Sequence, residues 1–305
     1  MSKDYREISK EVIYYGRRPE WLPFRASNGI VEVNFFPEKL PDEDTAHSRL
    51  EHFIQYGLSI STQNTDDKNG RRADFRLLDT SMSDSSRILR EIFRASLDIQ
   101  RLHKKRGKIE ILLADPLSSF AKTRAKSISD IEEDFAFRAQ QKCSEGLRAI
   151  AKQVNFILDD SASSHAIDAD VPGEKRDKDV LQEIEELTDY IKNFGARCGV
   201  ELLFYSEVPS GPMYFLQSIL IQGRYCSGFS AVKLPWLAIV NNPYCNNDFY
   251  DIFSDEFQQI WDSSAEAGYD KPGKALDLTS VEIERLRKEN EELQRKYDDL
   301  RQLVE

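Results

Sequence analysis

Histidine and cysteine are scarce in this 305-residue chain, with four of each. Cys143, Cys198, Cys226 and Cys245 form no C-x-x-C pair, and no histidine stands beside them at metal-ligand spacing. Each lies in an apolar pattern, as expected of small buried thiols in a reducing compartment. No Gly-rich phosphate loop, Walker motif, H-E-x-x-H or G-x-S-x-G is present, so neither a cofactor nor a metal site is expected. No run approaches the roughly 18 apolar residues of a membrane span. The start, MSKDYREISKEV, lacks the apolar centre of a signal peptide, so the expected location is the cytoplasm. Basic charge is also in deficit. Against 53 Asp and Glu stand 42 Lys and Arg, giving a net charge of -11, which disfavours a broad nucleic-acid surface. The local exception, Arg101 to Lys108 (RLHKKRGK), reads as a solvated cationic helix end.

The chain is 40% hydrophobic, enough for one large core. Residues 1–28 read as an N-terminal extension in which Pro19 and Pro23 rule out a continuous helix. Ile30 to Phe36 reads as a strand. Asp44 to Tyr56 reads as a helix ended by Gly57, and Leu58 to Thr62 as a second strand. A polar loop, 63–72, precedes a short apolar run from Phe75 to Leu78 that ends at Asp79. Ile88, Ile92, Ala95, Ile99 and Leu102 mark a core-facing helix stopped by Gly107. Lys108 to Ala114 (KIEILLA) is nearly continuous in its apolar residues, the mark of a parallel strand buried on both faces.

Asp115-Pro116 then leads into a short helix from Leu117 to Arg124. A long helical pattern runs from Ser129, and a Ser- and Asp-rich loop, a lid or a linker, spans 159–178. Val180 to Phe194 is a further helix, expected to end at Gly195. Val200 to Tyr205, Met213 to Ile221, Gly223 to Ser227 and Leu237 to Val240 read as consecutive strands, and Phe249 to Trp261 as a closing amphipathic helix. Single strands alternating with helices predict an α/β domain over 29–270, with a mixed sheet sandwiched by helices and antiparallel at its C-terminal edge.

Beyond Pro272-Gly273 the pattern changes. Ile283, Asn290, Tyr297 and Val304 fall at a positions of a heptad, and Leu286, Leu293 and Leu300 at d positions, with Glu, Lys and Arg around the seam. Leu at d favours two parallel strands, and Asn290 at a fixes register because paired Asn side chains bond only when aligned. Residues 274–305 are therefore expected to form a dimeric coiled coil. The stripe is narrower than packing onto a globule requires.

In open α/β sheets ligands gather at the carboxyl ends of strands. Those ends carry Asp79, Asp115 and Glu207, with Arg124, Arg224 and Tyr225 as companions. Paired carboxylates suit acid–base or metal chemistry. Asp at a strand end equally suits capping of the next helix, the simpler role for Asp79 and Asp115.

Three stretches carry a family resemblance: ILLADPLSSFAKTRAKS at 111–127, VELLFYSEVPSGPMYFLQSILIQGRY at 200–225, and FYDIFSDEFQQIWDSSAEA at 249–267. Their order resembles the phospholipase D-like superfamily. That resemblance implies a strand bearing a His-x-Lys-x4-Asp motif, with His as nucleophile and Lys as phosphate ligand. Here the corresponding strand reads Met213 to Leu220 (MYFLQSIL), and neither group is present. Thioether and phenyl groups cannot attack phosphorus. His103, Lys105 and Glu110 match the spacing but straddle a helix end and a strand entry, so the match is treated as chance.

The resemblance thus implies a catalytically degenerate branch: a sensor, adaptor or scaffold in a bacterial-type signalling, regulatory or defence system, recognising a small ligand or a protein partner. The rivals are a metal-dependent phosphodiesterase or nuclease using carboxylates, and a subunit of a larger complex. Deleting the chain after Pro272 is expected to halve its sedimenting mass; an unchanged mass would rule out the coiled-coil dimer.

Overall fold

The computed structural model describes residues 6–9, 12–14, 25–27, 30–33, 50–51, 54–55, 58, 74–103, 107–128, 134–161, 179–217, 219–227, 230–231, 234, 236–240 and 249–273. The heptad region, the 63–72 loop, residues 162–178, Lys105 and Cys245 lie outside them.

The domain is α/β, built on one mixed sheet with helices on both faces. In chain order the strands are β1 (Arg6–Ser9), β2 (Val12–Tyr14), β3 (Arg25–Ser27), β4 (Ile30–Val33), β5 (Asp74–Asp79), β6 (Lys108–Ala114), β7 (Val200–Tyr205), β8 (Met213–Leu216), β9 (Ile219–Gln222) and β10 (Trp236–Val240). The helices are α1 (Ser86–His103), α2 (Ser119–Ile128), α3 (Phe135–Ser161), α4 (Val180–Cys198) and α5 (Phe249–Glu266). β1 and β2 form a separate hairpin. The main sheet has eight strands in the order β3-β4-β10-β9-β8-β5-β6-β7. β5, β6 and β7 run parallel, and every other pairing is antiparallel.

Side-chain alternation explains the layers. Phe75, Leu77, Ile109, Ile111, Leu113, Leu202, Phe204, Tyr214 and Leu216 point to one face, covered by α1, α3 and α4. Leu78, Leu112, Ala114, Met213, Phe215 and Leu220 point to the other, where Phe257, Ile260 and Trp261 of α5 and Phe120 of α2 cover them. Arg76 also points to this second face. Its guanidinium lies 4.2 Å from the Phe215 ring centre and donates to Ser254 at 2.9 Å. The cation is thereby paired with an aromatic face and a hydroxyl instead of being stranded under a helix.

Several boundaries differ from expectation for local reasons. Met213 to Ile221 is not one strand. Gln217 adopts φ 62° and turns the chain so that Leu216 faces Ile219 in a β8–β9 hairpin. Gly223 to Ser227 forms no regular strand, although the Gly223 N–H donates to the Pro212 carbonyl at 2.8 Å. α4 passes through Gly195 and ends at Gly199, whose φ of 81° is the left-handed cap conformation. Leu58 is helical instead of opening a strand, and Leu50, Ile54 and Leu58 are all buried at four-residue spacing. β3 brings residues 25–27, assigned to the extension, into the main sheet. Cys143 and Cys198 are buried as expected, whereas Cys226, in the irregular segment that follows β9, is exposed.

A short strap, 268–273, follows α5. The Phe204 N–H donates to the Tyr269 carbonyl at 2.8 Å, so the strap covers the outer edge of β7. Lys192 pairs with Asp270 at 2.5 Å and Lys271 with Asp189 at 3.3 Å. Gly273 N–H then donates to Asp115 at 2.8 Å, delivering the chain to the carboxyl end of β6.

The turn after β5 is seated on α3 through Gly146. A Cβ there would stand 1.6 Å from the Ser81 carbonyl oxygen, so any side chain must displace the turn or the helix. Gly146→Ala is expected to lower unfolding stability by about 1–3 kcal/mol. Chemical denaturation checks it; an unchanged midpoint would show that the turn yields freely.

Candidate ligand-binding site

The sheet changes from parallel to antiparallel at β5, which pairs with β6 on one side and β8 on the other. Open α/β sheets place ligands outside the carboxyl ends of their strands. A cavity of about 320 Å³ lies there, at the small end of the range of roughly 300–1,000 Å³ for small-molecule sites. Its walls are the 79–85 turn, one face of α2, the first turns of α3, Tyr214 and Trp236 from the antiparallel half of the sheet, and Tyr225 from the segment after β9.

Asp79 organises the floor. Tyr214 donates its hydroxyl to one carboxylate oxygen at 2.5 Å, and Thr80 N–H donates to the other at 2.6 Å. Ser85 reaches the first oxygen at 3.5 Å, and Tyr205 donates to the Asp79 backbone carbonyl at 3.2 Å. β5, β7, β8 and the start of α1 thus meet at one residue. The next residues are hydroxyl-rich: Thr80, Ser81, Ser83 and Ser85 all line the cavity. Met82 is buried at φ 58°, a conformation that costs a side-chain-bearing residue energy and that clusters at functional sites.

Cations come from two helices. On α2, Ala121, Arg124, Ala125 and Ile128 fall three or four residues apart and share the cavity-facing side. Arg124 is only 7% exposed. It donates to the Cys226 carbonyl at 2.6 Å and lies 5.0 Å from the Tyr225 ring centre. Desolvation lowers its pKa, opposed by its attraction to the Tyr225 and Asp79 oxygens. On α3, Arg138 and Lys142 stand one turn apart with Ala139 between them. Asp134 fixes the start of this helix by accepting from Ala136 N at 3.0 Å and Phe137 N at 3.3 Å.

The aromatic wall supplies donors. Tyr214 stacks on Trp236 with ring centres 5.5 Å apart. Burial first, then the Asp79 charge, pushes the Tyr214 phenol well above its ordinary value. Tyr225 is raised for the same reasons in the same order. Tyr205 is raised by burial and then by its phenol neighbour Tyr225. All three are neutral hydroxyls that can donate but cannot act as bases near neutrality. Two buried polar atoms among the described residues lack a hydrogen bond of regular geometry: Trp236 Nε1 and the Tyr225 hydroxyl, which lies beside Thr80 and Tyr205.

Of the residues singled out from sequence, Asp79, Arg124 and Tyr225 line this cavity together. Asp115 is 0% exposed and does not line it. One of its oxygens accepts from Leu117 N at 2.9 Å, the other from Gly273 N. That is the capping role, extended to hold the strap. Glu207 and Arg224 are exposed and outside the cavity. His103 ends α1, while Glu110 sits in β6 bonded to Lys108 at 2.7 Å.

Sequence reasoning missed Arg138, Lys142, Tyr214 and Trp236. The signal for the first two was faint: cations flanking Ala139 at the start of an apolar helical stripe. Tyr214 and Trp236 read as ordinary core residues. No protein-family model, curated protein or solved structure matches this chain.

The raised phenols have a definite consequence for stability. Their folded-state pKa values lie above the ordinary 10.0, so the stability they contribute is complete below pH 10.0 and falls as pH rises further. Tyr205, Tyr214 and Tyr225 are expected to escape titration until the domain unfolds at alkaline pH. A spectrophotometric titration in which all 12 tyrosines ionise together near pH 10.0 in the folded protein would contradict this.

Proposed function

We propose that this chain is a non-catalytic sensor or adaptor: a degenerate phospholipase D-like domain whose carboxyl-edge cavity recognises a ligand, dimerised by the C-terminal heptad segment. A bacterial-type signalling, regulatory or defence system is the setting that suits such a protein. The observation that carries the reading is the fate of β8. Met213 and Phe215 are fully buried beneath α5, and only Tyr214, on the opposite face, reaches the cavity. The strand that a related hydrolase would use for its nucleophile here packs a core on one side and presents a neutral hydroxyl on the other.

The carboxylates support the same reading. A general base needs an oxygen directed at a substrate proton, and a metal ligand one directed at the ion. Both oxygens of Asp79 and both of Asp115 are engaged by donors of the fold. Among the described residues, no group of three or more His, Cys, Asp and Glu is placed to hold a metal ion. The strap gives the cavity a route to the dimer segment. Asp115 holds Gly273, and the next residue, Pro116, lines the cavity. A ligand that shifts the β6–α2 turn would therefore bear on the residue from which the heptad segment departs.

The full chain is expected to leave bis(p-nitrophenyl) phosphate intact in the presence of magnesium, manganese or zinc. Hydrolysis that disappears in Asp79→Asn would replace this reading with the metal-dependent phosphodiesterase.

A further inference from the structure

The geometry points to a small organic phosphate as the ligand of the β5–β6 cavity, with its phosphate held between the start of α1, Arg124 of α2 and the Arg138–Lys142 pair of α3. This rests on the reading of the cavity as a recognition site and adds the chemical class of what it recognises.

The first ground is charge. Among the described residues, the lining holds three cations and one carboxylate, in a chain whose net charge is -11. The carboxylate, Asp79, already accepts from Tyr214 and Thr80. Lys142 also approaches Glu145 at 3.4 Å, and its ammonium has three donors to share among several partners.

The second ground is the balance of donors and acceptors. Trp236 Nε1 can only donate and has no partner among the described residues, whereas the neutral Tyr225 hydroxyl is already shared with Thr80 and Tyr205. A buried donor left without a partner is costly, and native structures keep few of them. One such atom, on a residue that lines the cavity, calls for an acceptor from a ligand.

The third ground is direction. Donors converge from α2, from α3 and from the serine-rich turn that opens α1, an 18-residue helix whose N-terminus favours negative charge. A carboxylate offers two oxygens in one plane. A phosphate monoester offers three terminal oxygens and nearly two charges near neutral pH, which suits donors arriving from several sides. The cavity exceeds what a bare phosphate fills, and Ala121, Ala125 and Ile128 give it an apolar wall on α2. The organic part of the ligand packs there.

Adenosine 5′-monophosphate, adenosine and inorganic phosphate serve as probes, titrated calorimetrically against the full chain, with thermal shifts in parallel. The monophosphate and inorganic phosphate are expected to bind and raise the melting temperature, with adenosine at least about tenfold weaker than its monophosphate, the loss expected on removing charge-assisted hydrogen bonds. Arg138→Glu, on a half-exposed helical position, is expected to weaken the monophosphate by about tenfold or more, and Ala125→Trp to abolish its binding by filling the cavity. Equal affinity for adenosine and its monophosphate, with both lost in Ala125→Trp, would overturn the phosphate assignment and leave the recognition site standing. Monophosphate binding unchanged in both variants would overturn the cavity itself as the site. No binding by either phosphate probe at millimolar concentration would also overturn the assignment.

Discussion

The Asp79 carboxylate sits where the sheet changes direction, and its hydrogen bonds hold that junction together. Its partners come from β8 and from the start of α1, and its backbone carbonyl receives a hydroxyl from β7. A carboxylate next to a packed core must be surrounded by donors, because an unpaired charge there would be expelled or neutralised. Satisfying Asp79 therefore fixes the relative placement of three strands and one helix. It also brings neutral phenols to the strand ends. The cavity is the space left over once those donors have closed on the carboxylate, and it inherits their polarity.

The close approach of the 79–85 turn to α3 depends on the same junction. Gly146 lets the Ser81 carbonyl come against the helix, and Met82 takes a left-handed backbone to follow it. With the turn seated, Arg138 and Lys142, less than three helical turns before Gly146, face the same opening as Arg124. Packing at the glycine thus determines which charges meet in the cavity. The opposite face of the sheet shows a different solution. Arg76, Phe215, Phe257 and Trp261 form an aromatic layer around one cation.

The strap from Gly268 to Gly273 ties the end of the domain to the carboxyl end of β6. Two lysine–aspartate pairs join the strap to α4, and backbone bonds join it to β7 and to Asp115. Exposed ion pairs of this kind contribute little singly. The backbone bonds and the buried Asp115 supply the specificity.

The elements with one strong local signal were legible in the sequence. KIEILLA and VELLFY gave β6 and β7 to the residue, because buried parallel strands need continuous apolar runs. The stripes of α1, α3, α4 and α5 followed from their periodicity. The α/β class and the helices on both faces followed from the order of these elements. Asp79, Arg124 and Tyr225, named because strand ends and nearby cations are where ligands gather, were legible as residues of one cavity lining. Other features depended on contacts distant in sequence. The β8–β9 turn rests on the positive φ of Gln217, which no residue type announces. Asp115 became a structural clamp only because Gly273, 158 residues away, comes to meet it. Tyr214 and Trp236 carry the same apolar character as their core neighbours, and only the sheet register turned them toward the cavity. Arg138 and Lys142 lie on a helix whose sequence fixes its apolar face but not the opening beside which that face is packed. Local sequence determined which segments are helix or strand and which sides are apolar. The tertiary structure decided which polar groups meet, because that depends on how faces from distant segments are set against one another.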